Sequence, residues 1–353
     1  MSKFANERVR DLTPYTPGEQ PKDAQYIKLN TNESPFPPSE RAMRAIDRRQ
    51  LEDLRLYSDP EATELTQAIA RALDVPPQCV LATNGSDETL AFCFMAFCDA
   101  RGVRFADITY GFYPVYAQLF GIPATLCPVD ESLRIDPQAY CNVGQTVLIA
   151  NPNAQTGIAL TRDQLRRVIE TNPDQVVVVD EAYVDFGAQS CVPLVAEYPN
   201  LVVVQTLSKS RSLAGGRIGF AIAQPHLIED LKTVKYSFNP YNLDRLNIVL
   251  AAQAMADRET FRTRCEQIAS VRETFKRALD GLGMQYTPSQ ANFVLAKHPK
   301  IDGATLQRKL KEQGILVRHF TDPKIADYVR ITIGTQEQMQ SLTQAIARIT
   351  EAI

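Results

Sequence analysis

A lysine amine is nucleophilic at neutral pH only where burial or neighbouring cations lower its pKa. Lys209 stands in such a setting. It follows an apolar, β-branched run, Leu201-Val202-Val203-Val204, and has Thr206, Ser208, Ser210 and Arg211 around it, then two glycines and Arg217. The apolar run has the pattern of a strand buried on both faces. Hydroxyls and a guanidinium close by suit an anchored phosphate. Together they suggest a Schiff-base lysine beside the phosphate of pyridoxal phosphate; the same residues also fit a solvated basic loop after a strand.

Two further groups bear on that choice. Asp180 directly follows Val176-Val177-Val178-Val179. A carboxylate at the end of so apolar a run either caps a turn or meets a cation, and a pyridinium nitrogen is such a cation. Asn84-Gly85-Ser86-Asp87-Glu88 lies between a short apolar strand (79–83) and an apolar helical stretch (89–98). Backbone N–H groups at such a helix start converge on one spot and can hold an anion, although Ser-Asp is also a plain helix cap. Pyridoxal phosphate chemistry asks for an amine, an acid at the ring nitrogen, a phosphate cradle, a stacking aromatic and a donor to the phenolate oxygen.

The elements that must position these groups alternate. Strands are expected at 103–109, 124–129, 147–150, 176–179, 201–204 and 220–223, with helices between them, including one between 183 and 201. That order predicts a mostly parallel sheet covered on both faces. Ligands on such sheets sit at the carboxyl ends of the strands, where Gly85-Ser86-Asp87, Tyr110, Asn151–Gly157, Asp180–Tyr183 and Thr206–Lys209 fall. A long helix over 243–282, broken near Arg258-Glu259, leads to a compact α+β unit with strands at 292–296, 315–318 and 329–333. Arg318 and Arg330 each interrupt one of those strands; they suit either a solvated strand edge or an anionic substrate.

The chain has 353 residues, enough for two domains at about 150 residues each. Residues 1–35 read as an irregular arm that cannot build its own core, 36–242 as a large cofactor-binding domain and 243–353 as a small C-terminal domain. Hydrophobic residues make up 44% and charged residues 22%, and a net charge of −3 gives no field that favours nucleic acid or an anionic membrane. The first fifteen residues lack the apolar core of a signal peptide and no apolar window is long enough to span a bilayer. Seven scattered cysteines without a CxxC suit reduced thiols in a cytoplasm, and three histidines leave no metal or triad pattern.

The runs LTPY, LNTNESP, NGSDE, NPNAQTG, DEAYVDF, QTLSKSRSLAGGRIGF and VRITIG, in this order, resemble the histidinol-phosphate aminotransferases over essentially the whole chain. That family has the fold-type-I architecture: a large α/β domain with a mostly parallel sheet covered by helices, plus a small α+β C-terminal domain. The resemblance implies pyridoxal 5'-phosphate as cofactor and reversible amino transfer between L-histidinol phosphate and 2-oxoglutarate, in histidine biosynthesis. It implies that Lys209 is the Schiff-base lysine and general base, that Asp180 pairs with the pyridine nitrogen, and that Tyr183 donates to the phenolate oxygen while Tyr110 stacks on the ring. Gly85, Ser86, Asp87, Thr206, Ser208 and Arg217 then surround the phosphate. Tyr57 and Tyr15 are expected to reach the neighbouring subunit's site in an obligate homodimer, Tyr57 at the cofactor phosphate and Tyr15 at the substrate phosphate. Arg330 and Arg318 match arginines for the substrate anion, and Asn32 lies in the arm that lines the site.

The chain departs from the family pattern in two places. Where NPNNPTG sets an asparagine before proline, this chain has Ala154 and Gln155, so the bond to the phenolate must come from Asn153, from water or from Tyr183 alone. Ser-Arg-Ser follows Lys209, with Arg211 as a solvated or subunit-contact charge. Lys209 and Asp180 do not separate histidinol-phosphate transfer from an aromatic aminotransferase or a threonine-phosphate decarboxylase of the same fold. A non-catalytic module that binds a phosphorylated ligand is the rival of another class, and it leaves Lys209 and Asp180 without a task.

Overall fold

In the computed structural model, residues 2–351 are described. Among these residues twelve strands form two sheets: β1 (Ile27–Leu29), β2 (Val80–Thr83), β3 (Val103–Ala106), β4 (Ala124–Cys127), β5 (Thr146–Ala150), β6 (Val177–Asp180), β7 (Leu201–Thr206), β8 (Gly219–Ala223), β9 (Gln285–Tyr286), β10 (Phe293–Lys297), β11 (Ile315–His319) and β12 (Val329–Thr332). The larger sheet has the order β2-β8-β7-β6-β5-β3-β4, and only β8 runs against its neighbours. Every residue of β5, β6 and β7 is buried, as their unbroken apolar runs require of strands covered on both faces. Two apolar layers, one on each face, separate the alternating side chains of β7: Val202 and Val204 join one, Leu201 and Val203 the other.

The smaller sheet has the order β1-β11-β12-β10-β9. β1 was not foreseen within the proline-rich arm. It pairs in parallel with β11, Ile27 opposite Ile315 and Leu29 opposite Val317. The arm thus finds its core by joining another sheet, since three residues cannot make one.

Residues 245–256 form a helix whose Ile248, Ala251, Ala252 and Met255 enter the same apolar layer as β5, β6 and β7. The chain leaves that layer at Asp257, which caps the next helix, Arg258–Gly281. Between β6 and β7 there is no α-helix; the connection makes two 3-10 turns, Val184–Phe186 and Val192–Leu194, the second carrying Pro193.

The start of β8 must pass very close to the start of helix Gly85–Phe97. A Cβ on Gly219 would lie 2.2 Å from the Ser86 backbone nitrogen and 2.4 Å from the Gly85 carbonyl carbon. Only glycine permits that approach. Gly219→Ala is therefore expected to lower the unfolding free energy by about 2 kcal/mol or more, read from urea denaturation; a wild-type midpoint would contradict the packing of this corner.

Candidate active site

The parallel strands deliver their carboxyl ends to one cavity of about 660 Å³, within the range of small-molecule sites. Asp180 is the last residue of β6, Lys209 lies three residues after β7, and Ala154 and Gln155 come from the loop after β5. Tyr15, Asn32, Ser86, Asp87, Tyr110, Tyr183, Thr206, Ser208, Arg217, Arg318 and Arg330 complete the predicted residues that line it.

Lys209 Nζ donates to the Thr31 carbonyl at 3.2 Å and sits 5.9 Å from the centre of the Tyr183 ring. Its pKa is pushed down to about 8, first by burial and then by the positive charge of Arg330, against the opposing pull of Glu33 and Asp87. Asp180 lies at the floor. Burial drives its pKa up to about 6, although Tyr113 Oη–H and the Ala182 N–H both donate to its oxygens, at 2.7 and 3.2 Å. The shift amounts to about 3 kcal/mol against ionisation. A cation brought against Asp180 would offset that cost.

At the other end, helix Gly85–Phe97 begins with Gly85 at φ +80°, and a Cβ there would meet Arg217 Nη2 at 2.6 Å. Arg217 is itself in the left-handed region, at φ 49°, a conformation that costs a non-glycine residue roughly 1 kcal/mol or more. Its Nη2 meets Asp87 Oδ2 at 3.1 Å, and Tyr110 Oη–H donates to Asp87 Oδ1 at 2.7 Å. The Thr206 hydroxyl donates to Ser208 Oγ at 3.0 Å and accepts from the Ser208 N–H at 3.1 Å. Hydroxyls, a helix start and a guanidinium therefore converge opposite the Lys209 amine. A depressed amine, a buried acid awaiting a cation and an anion cradle are the set that pyridoxal phosphate requires, and they fit it.

Several predicted residues lie elsewhere or are otherwise engaged. Gly85 is behind the cavity wall, where its missing side chain leaves room for Arg217. Asn153 is turned away: Nδ2 donates to the Ile108 carbonyl at 2.7 Å, while Oδ1 accepts from Gln155 and Thr156 N–H. Tyr183 Oη instead accepts from Asn32 Nδ2 at 3.0 Å, and Asn32, at φ 56°, is fixed by Thr332 and Asn292. Tyr15 lines the cavity of its own chain, stacked on Phe112 at 4.4 Å. Arg318 spends Nη1 and Nη2 on the Pro17 and Thr16 carbonyls, at 3.0 and 2.9 Å, so it ties the arm down over the cavity. Tyr57 is outside the cavity, 80% exposed and stacked on Tyr241 at 4.7 Å. Arg211 is not a solvated charge; it stacks on Phe261 at 3.6 Å and donates to the Ala254 carbonyl.

Sequence reasoning missed Tyr113, Thr31, Glu33, Gln20 and Phe320, all of which support or line the site. Among the described residues no group of three or more His, Cys, Asp or Glu could hold a metal, and no helix is long and apolar enough to cross a membrane.

Residues 24–346 match the family model for aminotransferase class I and II. The histidinol-phosphate aminotransferase of Acinetobacter baumannii is 49% identical over 348 residues, which cover 98% of this chain and 96% of that protein. Histidinol-phosphate aminotransferase 2 of Dechloromonas aromatica is 49% identical over 355 residues, 99% and 100% of the two chains. The crystal structure of histidinol-phosphate aminotransferase from Sinorhizobium meliloti in complex with pyridoxal-5'-phosphate has the same fold, with a TM-score of 0.89 and 23% identity over 100% of this chain and 99% of that one.

Two predictions follow from the charges. In cofactor-free protein, reductive methylation of Lys209 should rise with pH through a midpoint near 8, and Arg330→Ala should move that midpoint upward, because it removes a cation that favours the neutral amine. An unmoved midpoint contradicts the coupling. For Asp180 the folded pKa lies above the unfolded value of 3.8, so the folded state holds the proton longer and stability is lost as pH rises from about 4 through about 6. Asp180→Asn should therefore make the cofactor-free protein about 1–3 kcal/mol more stable at pH 8 and give no gain at pH 4; equal urea midpoints at pH 8 would refute it.

Proposed function

From the premise that the chain belongs to the class I and II aminotransferases, on their histidinol-phosphate branch, we propose that it transfers the amino group of L-histidinol phosphate to 2-oxoglutarate, giving imidazole acetol phosphate and L-glutamate in histidine biosynthesis. The observation that carries this reading is the seating of Lys209, Asp180 and Arg330 in one cavity beside the anion cradle. A threonine-phosphate decarboxylase or an aromatic aminotransferase would use the same lysine and acid. Two relatives at 49% identity, each matched over at least 96% of its length, favour histidinol phosphate.

Pyridoxal 5'-phosphate, when bound, supplies an electron-accepting ring for the charge left at the substrate Cα. Ser86, Thr206, Ser208 and Arg217 would hold its phosphate, with the N–H groups at the start of helix Gly85–Phe97. Asp180 would meet the ring nitrogen, Tyr183, oriented by Asn32, would donate to the phenolate oxygen, and Tyr110 would hold the ring by stacking. Lys209 would serve as the base that takes the substrate's Cα proton, which a pKa near 8 suits, because an acid–base group works best close to the working pH. Arg330 receives the substrate's anion: the phosphate of histidinol phosphate in one half-reaction and a carboxylate of 2-oxoglutarate in the other. Tyr15 and Arg318, on and against the arm, close the cavity over that anion.

The protein acts as a cytoplasmic homodimer. Tyr57 is exposed and stacked on the exposed Tyr241, and Leu51, Leu54 and Leu56 just before it in the chain are exposed too; apolar side chains left in solvent suit a second copy, where Tyr57 reaches the partner's cofactor phosphate.

A half-reaction screen tests the reading. Protein loaded with pyridoxal phosphate should be converted to the pyridoxamine form by L-histidinol phosphate and by L-glutamate. Phenylalanine and threonine phosphate should react at least about a hundred-fold more slowly, because neither combines the anion of a good donor with a side chain the cavity is shaped to take. Arg330→Ala should lose at least about a hundred-fold in kcat/KM with both good donors. Equal turnover of phenylalanine, or wild-type activity in Arg330→Ala, would overturn the substrate assignment.

A further inference from the structure

Arg330 rises from β12 between two aromatic rings, Phe293 at 5.1 Å and Phe320 at 5.2 Å from the guanidinium carbon. Its Nη1 donates to the Ala154 carbonyl at 2.9 Å and to Gln155 Oε1 at 3.2 Å. Its Nε is buried and has no hydrogen-bond partner among the described residues. A guanidinium offers two forks to an anion, one from Nη1 with Nη2 and one from Nε with Nη2. Two acceptors on Nη1 use both of its protons and close the first fork. The second fork, with its unpaired Nε–H, is what remains for a ligand.

We propose that Gln155 is a positioning residue that selects this fork, and that its side-chain oxygen, not its bulk, does so. The proposal rests on the reading of the cavity as an aminotransferase site. Ala154 supplies a backbone carbonyl whatever its side chain, so the second acceptor depends on residue 155 alone. Gln155 lines the same cavity as Lys209 and Arg330. Its amide oxygen is neutral, so it orients Arg330 and leaves the full positive charge for the substrate. A carboxylate at 155 would hold Nη1 as well but would compete with the substrate's anion. A side chain without an acceptor would free Nη1, and the guanidinium could turn its other fork to the ligand. The choice of fork matters because one arginine has to take both a tetrahedral phosphate and a planar carboxylate, each a bidentate partner whose direction fixes where the reacting carbon lies.

Two variants separate orientation from packing. Gln155→Met keeps the volume and removes the acceptor; Gln155→Glu keeps an acceptor and adds a charge. In the loaded enzyme, binding of maleate, an unreactive dicarboxylate, is measured by calorimetry, together with kcat and KM for both donors and the pH at which the bound cofactor's absorbance changes. For Gln155→Met, maleate affinity should fall about five- to twenty-fold and both KM values should rise to match, as for loss of a hydrogen bond to a charged group. Its kcat should stay within about threefold and its absorbance midpoint should not move. For Gln155→Glu, maleate affinity should fall about fifty-fold or more, and the midpoint should move up as the charge of Arg330 is compensated. Wild-type maleate affinity in Gln155→Met would overturn the proposal, since bulk alone would then suffice. Wild-type affinity with an unmoved midpoint in Gln155→Glu would overturn it too, and that variant decides if Gln155→Met melts well below the wild type. A wild-type chain that binds maleate but transaminates neither donor would fail the functional reading instead, leaving the maleate comparison to judge Gln155.

Discussion

Two basic groups, Lys209 and Arg330, share one cavity, and burial together with the charge of Arg330 loosens the proton on the Lys209 amine. Burial and Arg330 bring its pKa down to about 8. The surrounding structure is the means by which that arrangement is held. β7 is buried over all six residues and ends three positions before the lysine. β12 brings Arg330 from the other sheet, 121 residues later in the chain. The opposing acid, Asp180, is kept out of direct pairing and sits against Tyr113 at the floor. An anionic cofactor with a cationic ring nitrogen satisfies all of these groups at once, which no single protein side chain does.

Local strain marks the same place. Asn32 and Arg217 both hold left-handed backbone conformations at the cavity, each at a cost of roughly 1 kcal/mol or more. Asn32 is fixed there by Thr332 and Asn292, and so couples the arm, the small sheet and Tyr183 in one hydrogen-bonded unit. Arg318 adds a second tie from the small sheet to the arm. The site is thus enclosed by a segment too poor in apolar residues to fold alone, held by polar contacts and by the pairing of β1 with β11.

Much of this was legible in the sequence, for a definite reason. A strand end in a parallel sheet is a fixed address, so a lysine after Leu201–Val204 and an acid after Val176–Val179 could be placed together without knowing any contact. Residues whose role depends on a partner far along the chain were not legible. Gln155 matters through Arg330, 175 positions away, and Tyr113 through Asp180, 67 positions away. Asn153 looked available because its type suited the task, but its side chain closes its own turn. Arg318 was placed in the right cavity, and only the structure reveals that its guanidinium is engaged by the arm. The strand β1 was hidden because three residues in a proline-rich arm carry no periodicity; its partner, β11, supplies the order.

The central claim is that the Lys209 amine is the group that meets the cofactor's aldehyde. Borohydride reduction of the loaded protein, followed by proteolysis and mass spectrometry, addresses it directly. The account predicts a single pyridoxyl adduct, on Lys209, in the peptide that contains Ser208 and Ser210. An adduct on any other lysine, or a reduced protein that carries none, would contradict it.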